Sequence, residues 1–238
     1  MTLAETTGSQ PRQGPRTLDI LAISGSLRRD SFNTRLLSVL ASLTPENMRL
    51  HLFDGLGALP MFSEDLETQL VPPPPVMRMC EAIRRADGVV IATPEYNHSI
   101  PAALKNAIDW ASRPHGAGAL TGKPIAVMCA TTGRRGGYRG LGETIRILTG
   151  LGNLVVPEPE VVVQSARSAL VVGPDGGPEL LDATAVKLLR IQIEALADLI
   201  TSDAASVVLR AAHRHRPTVL HALGIREEWD PMADRVAE

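Results

Sequence analysis

No apolar run in the 238-residue chain approaches the ~20 residues that a membrane-crossing helix needs. The N-terminus lacks the apolar stretch of a secretory signal, so we expect a cytoplasmic protein. Cysteine is scarce. Cys80 and Cys129 lie far apart in apolar surroundings, which reads as two buried reduced thiols rather than a disulfide. Neither charge sign is in excess: 24 Lys and Arg against 26 Asp and Glu leave a net charge of -2. That balance gives no support to a nucleic-acid partner, which would usually need a basic face. Two nucleotide fingerprints are also missing. There is no G-x-G-x-x-G and no G-x-x-x-x-G-K-[ST], which sets aside a dinucleotide-binding Rossmann domain and a P-loop ATPase. His213, His215 and His221 have no Cys or carboxylate at metal-ligand spacing, so no metal is expected. We find no nucleophile paired with a base.

What the chain does contain is organised around Thr93-Pro94-Glu95-Tyr96-Asn97-His98-Ser99-Ile100-Pro101. An apolar run, residues 88–92, precedes this stretch, and a helical pattern from Ala102 to Ala111 follows it. A strand running through a Pro-rich turn into a helix is a βα loop. In an open parallel sheet such loops line the crevice where ligands bind.

The rest of the chain repeats this alternation. Strands are expected at residues 18–24, 48–53, 88–92, 123–130 and 154–163, the last interrupted by Pro157 and Pro159 as an edge strand tolerates. Helices are expected to about Ala41, over 76–86, from near Pro101, over 143–148 and over 180–200. In the last of these, Leu181, Leu188, Ile191, Leu196 and Leu199 fall largely on one side. The long connection 54–75 ends in Pro72-Pro73-Pro74-Pro75, read as a stiff spacer rather than a recognition motif. Alternating strands and helices predict an α/β fold, a three-layer sandwich with a five-stranded parallel sheet in the flavodoxin-like order 2-1-3-4-5. One domain, residues 17–202, is flanked by a disordered arm, 1–16, and a C-terminal extension, 203–238, in which Ala204 to Ala212 suits a short helix. Trp229 in that extension could pack on a second subunit.

The first βα loop carries phosphate-binding chemistry. Ser24, Ser26, Ser31 and Thr34 supply hydroxyls, Asn33 an amide, and Arg28 and Arg29 guanidinium groups, ahead of a helix whose free N–H groups and dipole favour an anion. The alternative is an ordinary polar loop with Ser31 or Asn33 as helix cap.

With these residues in view the chain resembles the NADPH-dependent FMN reductase family, the flavodoxin-like group that includes chromate, quinone and azobenzene reductases. The resemblance rests on Gly25-Ser26-Leu27-Arg28 with Ser31-Phe32-Asn33, on Pro94-Glu95-Tyr96-Asn97 with Pro101, and on Leu104-Lys105-Asn106-Ala107-Ile108-Asp109-Trp110. It runs from about Leu18 to Ile200. It implies that Ser26, Arg28, Ser31, Asn33 and Thr34 hold the FMN phosphate. It places Pro94, Glu95, Tyr96 and Asn97 along the isoalloxazine ring, and Thr132, Gly133, Gly136 and Gly137 at the ring's other side. Tyr138 follows the glycine pair and Arg134-Arg135 precede it, where relatives often carry small residues after the pair. This departure falls on the substrate pocket.

The implied activity is a ping-pong transfer from NADPH through FMN to a quinone, a metal oxyanion, an azo compound or free flavin. The implied assembly is a homodimer or homotetramer. Other readings are a flavodoxin-type electron carrier, a flavin reductase component of a two-component monooxygenase, or a binding protein with a degenerate site. The first would carry a strongly acidic surface, which a net charge of -2 does not supply. Arg113, Arg134 and Arg135 are candidates for the phosphates of NADPH or are solvated surface groups. Glu95 is read as an acid or base, or as the partner of a neighbouring subunit's arginine. His98 is read as a proton donor or a plain surface residue, and Trp110 as core or dimer interface.

Overall fold

Successive residues of a strand face opposite ways, and here both sets are apolar, so the sheet carries a core on each side. In the computed structural model, residues 16–68, 71–114, 116–202, 204 and 207 are described. The expected N-terminal arm and the short helix after Ala204, with His213, His215, His221 and Trp229, lie almost wholly outside them.

The chain runs β1 (Leu18–Ser24), α1 (Phe32–Leu43), β2 (Met48–Phe53), a 3-10 turn (Leu56–Ala58), α2 (Glu64–Glu67), α3 (Pro74–Arg85), β3 (Gly88–Ala92) and α4 (Ala102–Ala111). Then follow β4 (Pro124–Ala130), α5 (Tyr138–Gly150), β5 (Leu154–Val155), β6 (Val161–Val163), α6 (Ala166–Ala169), β7 (Leu170–Val172), β8 (Pro178–Leu180) and α7 (Ala183–Thr201). The sheet order is β2-β1-β3-β4-β5, all parallel, with β6 also on β4. This is the expected flavodoxin-like order.

One core joins Ile20, Ala22, Val90, Ala126 and Met128 to α1 and α7. The other joins Leu21, Ile23, Val89, Ile91, Ile125 and Val127 to α3, α4 and α5. Pro74 and Pro75 enter the first turn of α3, where a missing N–H leaves no bond unmade. The long connection is tied down by α4: Trp110 Nε1 and Asn106 Nδ2 donate to Pro60 O at 2.8 and 2.9 Å, and Phe62 packs edge-on against Trp110. Trp110 is 3% exposed and belongs to the core of this chain.

Three expectations need correction. The fifth strand is two short pieces, because Pro157 and Pro159 fall between them and a proline has no N–H for the ladder. The carbonyl of Val127, facing this break, accepts instead from Gln192 Nε2 at 3.1 Å, which also donates to Pro159 O at 2.9 Å. The final helix starts at Ala183 and not at Leu180; Asp182 caps it, accepting from the N–H groups of Thr184 and Ala185 at 2.9 and 3.1 Å. Leu180 lies in β8, paired antiparallel with β7 in a hairpin that the sequence pattern did not reveal. Its buried stripe is Ala185, Leu189, Gln192, Ile193 and Leu196, whereas Leu181 and Ile191 are 58% and 42% exposed. Finally, α5 extends well beyond the expected 143–148, for a reason that belongs to the site.

Both thiols are buried and unpaired. Burial pushes the Cys80 thiol up, and burial followed by the charge of Glu95 pushes Cys129 up to about 12. Since the thiolate is the reactive form, we expect Ellman's reagent to titrate neither cysteine in the native protein and both in urea. Prompt reaction of either in the native state would contradict the packing.

Candidate active site

The carboxyl ends of β1, β3, β4 and β6 lie level, because Ser24 is in register with Ala92, Ala92 with Met128, and Ala130 with Val163. Three loops leave the sheet along this edge. Loop 1 is residues 25–31, loop 2 is 93–101 and loop 3 is 131–137.

Loop 1 folds on its own hydroxyls. Ser24 Oγ accepts from Thr34 Oγ1 at 2.8 Å and from Ser26 N–H at 3.4 Å. Ser26 Oγ accepts from Arg28 N–H at 3.3 Å, and Ser31 Oγ caps α1 by accepting from Thr34 N–H at 3.4 Å. Within α1 the first-turn N–H groups of Phe32 and Asn33 have no acceptor, so they point into the loop. Arg28 stacks over the Phe32 ring at 5.2 Å and donates to Asp30 O. Asn33 behaves otherwise than its side chain suggested. It is 3% exposed, and its amide makes a two-way pair with Ala130, donating to the carbonyl at 2.9 Å and accepting from the N–H at 2.8 Å. Only its backbone N–H remains for a phosphate.

Loop 2 closes on itself through two hydrogen bonds between Tyr96 and Ser99, at 2.9 and 3.0 Å. Asn97 and His98 between them have φ of 50° and 66°. That pattern is the tight turn usually given to Asn-Gly, so His98 holds a position where glycine would be unstrained. Tyr96 Oη meets Ser26 Oγ at 3.4 Å and joins loop 2 to loop 1.

Glu95 joins loop 2 to loop 3. Its Oε2 accepts from the N–H groups of Gly137, Arg139 and Gly140 at 2.8, 3.1 and 3.3 Å. The first turn of α5 is thus capped by a side chain 42 residues away in sequence, which is why its start could not be read locally. Glu95 Oε2 is satisfied within its own chain by these three N–H groups. Burial opposes its charge, but the N–H groups of Gly140, Gly137 and Arg139, then His98 at 3.6 Å, outweigh burial and hold the carboxyl below its ordinary value. Its stabilising contribution is therefore present above the ordinary carboxylate range and is lost only as the pH falls through the lowered value. Glu143, absent from the expected site, accepts from Ser99 Oγ at 2.7 Å. In loop 3 the N–H of Gly133 bonds Thr131 Oγ1 at 3.2 Å.

Residues 18–168 match the family described as NADPH-dependent FMN reductase. The chain belongs to this family. It is 40% identical over 179 residues to an NAD(P)H-dependent FMN reductase of Pseudomonas aeruginosa, covering 75% of this chain and 93% of that one. It is 35% identical over 183 residues to a quinone reductase of Escherichia coli, covering 77% and 95%. Among solved structures, the flavoenzyme FerB, an NAD(P)H:(acceptor) oxidoreductase of Paracoccus denitrificans, superposes with a TM-score of 0.69 at 33% identity, covering 78% of this chain and 98% of its own.

This member of the NADPH-dependent FMN reductase family is thus an FMN-dependent NAD(P)H oxidoreductase with a small-molecule acceptor. The donor set of loop 1 fits FMN: hydroxyls, a helix N-terminus and guanidinium groups suit a terminal phosphate dianion. At loop 3, a Cβ on Gly137 would lie 2.8 Å from Val162 Cγ1, so the backbone there sits closer to the sheet than any other residue permits. Arg113 is placed away from these loops. It lies just past the far end of α4, 3.9 Å from Glu64 and 3.7 Å from Glu67, beside a cavity of about 190 Å³ that it lines with Phe62, Asp109, Ser112 and Leu151. That cavity is at the opposite end of α4 and α5 from loops 2 and 3, and carries none of the site chemistry. Among the described residues, no cluster of three metal-ligating side chains occurs and no helix is long and apolar enough to cross a membrane.

Proposed function

We propose that the enzyme reduces quinone-type acceptors with NAD(P)H. The observation that carries this reading is the pairing of three loops along one edge of the sheet with 35% identity, over 77% of this chain and 95% of the other, to a quinone reductase. In this proposal residues 17–202 form the flavin domain. Ser26, Arg28, Ser31 and Thr34, with the backbone N–H of Asn33, hold the phosphate. Pro94, Glu95, Tyr96 and Asn97 form one wall of the ring site, and Thr132, Gly133, Gly136 and Gly137 the other. Bound FMN supplies the two-electron relay between nicotinamide and acceptor. The chain's own part is to bind, orient and leave one ring face open, and no side-chain nucleophile is required. Exposed Arg134 and Arg135 at loop 3 are available to the phosphates of NADPH.

We further propose a homodimer or homotetramer. Met61, Val71 and Met77 are 73%, 61% and 44% exposed, apolar surface of the kind that subunit contacts cover. A cytoplasmic location accords with the two unpaired buried thiols.

The test is the visible spectrum of the purified protein before and after anaerobic NADPH. Flavin bands that bleach, and return on adding benzoquinone, are expected. Bands that bleach but persist in that state with benzoquinone would remove quinones as the acceptor. A protein that takes up no flavin after soaking in FMN would overturn the site assignment.

A further inference from the structure

Two carboxylates cross between loop 2 and α5 in opposite directions. Glu95 of loop 2 accepts three backbone N–H groups of the first turn of α5, at 2.8, 3.1 and 3.3 Å. Glu143 of α5 accepts from Ser99 Oγ of loop 2 at 2.7 Å. The two contacts bracket the turn at Asn97 and His98, a positive-φ turn closed by the Tyr96–Ser99 hydrogen bonds, and tie both of its ends to α5. Gly140 makes the approach possible, since a Cβ there would sit 3.1 Å from Glu95 Cα.

We infer that Glu95 and Glu143 are positioning residues forming a two-point clasp, which holds the loop 2 wall at a fixed separation from loop 3 and so sets the slot for the planar ring of the flavin. This rests on the flavin site proposed above. The two carboxylates touch neither Ser26, Arg28 nor Ser31, and loop 2 meets loop 1 through the long Tyr96 Oη–Ser26 Oγ contact of 3.4 Å, so the clasp acts chiefly on the ring and not on the phosphate grip. Its loss weakens riboflavin, which has no phosphate, as much as FMN. A change in loop 1 such as Ser26→Ala weakens FMN alone.

The test is the dissociation constant of FMN and of riboflavin for the full chain, from quenching of flavin fluorescence at neutral pH. Glu95→Gln is expected to raise both about tenfold, the scale of a lost charge-assisted hydrogen-bond set. Glu143→Gln and Ser99→Ala are expected to raise both about threefold, and Ser99→Thr, which keeps the hydroxyl, to restore them. In the flavin-free protein the amide proton shifts of Gly137, Arg139 and Gly140 should move in Glu95→Gln. If Glu95→Gln fails to fold, the Glu143 and Ser99 variants carry the test. Unchanged constants in variants whose amide shifts have moved would overturn the clasp. So would weaker FMN with riboflavin unaffected. Wild-type protein that binds neither flavin would instead sink the flavin site itself.

Discussion

Replacing Gly137 by alanine is expected to lower the thermal midpoint by about 5–15 °C and to abolish tight flavin binding. The residue has φ of 101°, a region that costs an alanine ~1–2 kcal/mol. Its Cβ would also lie 2.8 Å from Val162 Cγ1 and 2.9 Å from Cys129 Sγ, the first half-buried and the second buried beneath loop 3. Overpacking of this kind costs ~1–3 kcal/mol, for a total of ~2–5 kcal/mol. The loop cannot rise to relieve the contact, because the N–H of Gly137 is held by Glu95 at 2.8 Å. A control sits five residues on. Gly142 lies within α5 and a Cβ there would meet nothing within 4 Å. Gly142→Ala should therefore stabilise by ~0.5–1 kcal/mol through helix propensity. Thermal scans of the two variants decide the matter. Similar midpoints for both would show that neither the clash nor the backbone conformation at Gly137 has the assigned cost.

The same pair of glycines explains what was legible in the sequence. Strands β1, β3 and β4 announced themselves as apolar runs, because a strand covered on both faces has no polar side to show. The order 2-1-3-4-5 followed from the alternation of elements. The start of α5 did not follow, because Gly137, Gly140 and Gly142 disguise a helix whose cap, Glu95, comes from another loop. Glu143 was missed for a similar reason: a glutamate in a helix carries no local sign that its partner is Ser99 of loop 2. Loop motifs locate a site in the chain, but contacts between loops are set by the sheet register, which single-sequence spacing does not encode. Gly133, Gly136 and Gly137 looked alike in sequence, yet only Gly137 has a positive φ.

Asn33 shows the same limit with a larger consequence. Its sequence context pointed to a phosphate ligand, whereas its side chain does the work of a missing strand. Thr93 N–H, just past the end of β3, bonds Met128 O at 2.9 Å, and the chain then turns away into loop 2. The next peptide groups of β4 on that side belong to Ala130, and they would be buried without partners. The Asn33 amide presents a donor and an acceptor to them at 2.9 and 2.8 Å, as a further strand residue would. Gln192 does half of this on the other side of β4, at the Val127 carbonyl. Asn33→Ala leaves two buried backbone groups without partners, each at ~1–3 kcal/mol, so a loss of ~2–6 kcal/mol in urea unfolding is expected. The comparison is Ser31→Ala, which removes only the cap of α1 and should cost ~1 kcal/mol. A loss in Asn33→Ala no larger than in Ser31→Ala would refute the role of a substitute peptide. A loss of FMN affinity is expected as well, since the pair with Ala130 fixes the first turn of α1 against β4, and with it the N–H groups that we propose for the phosphate.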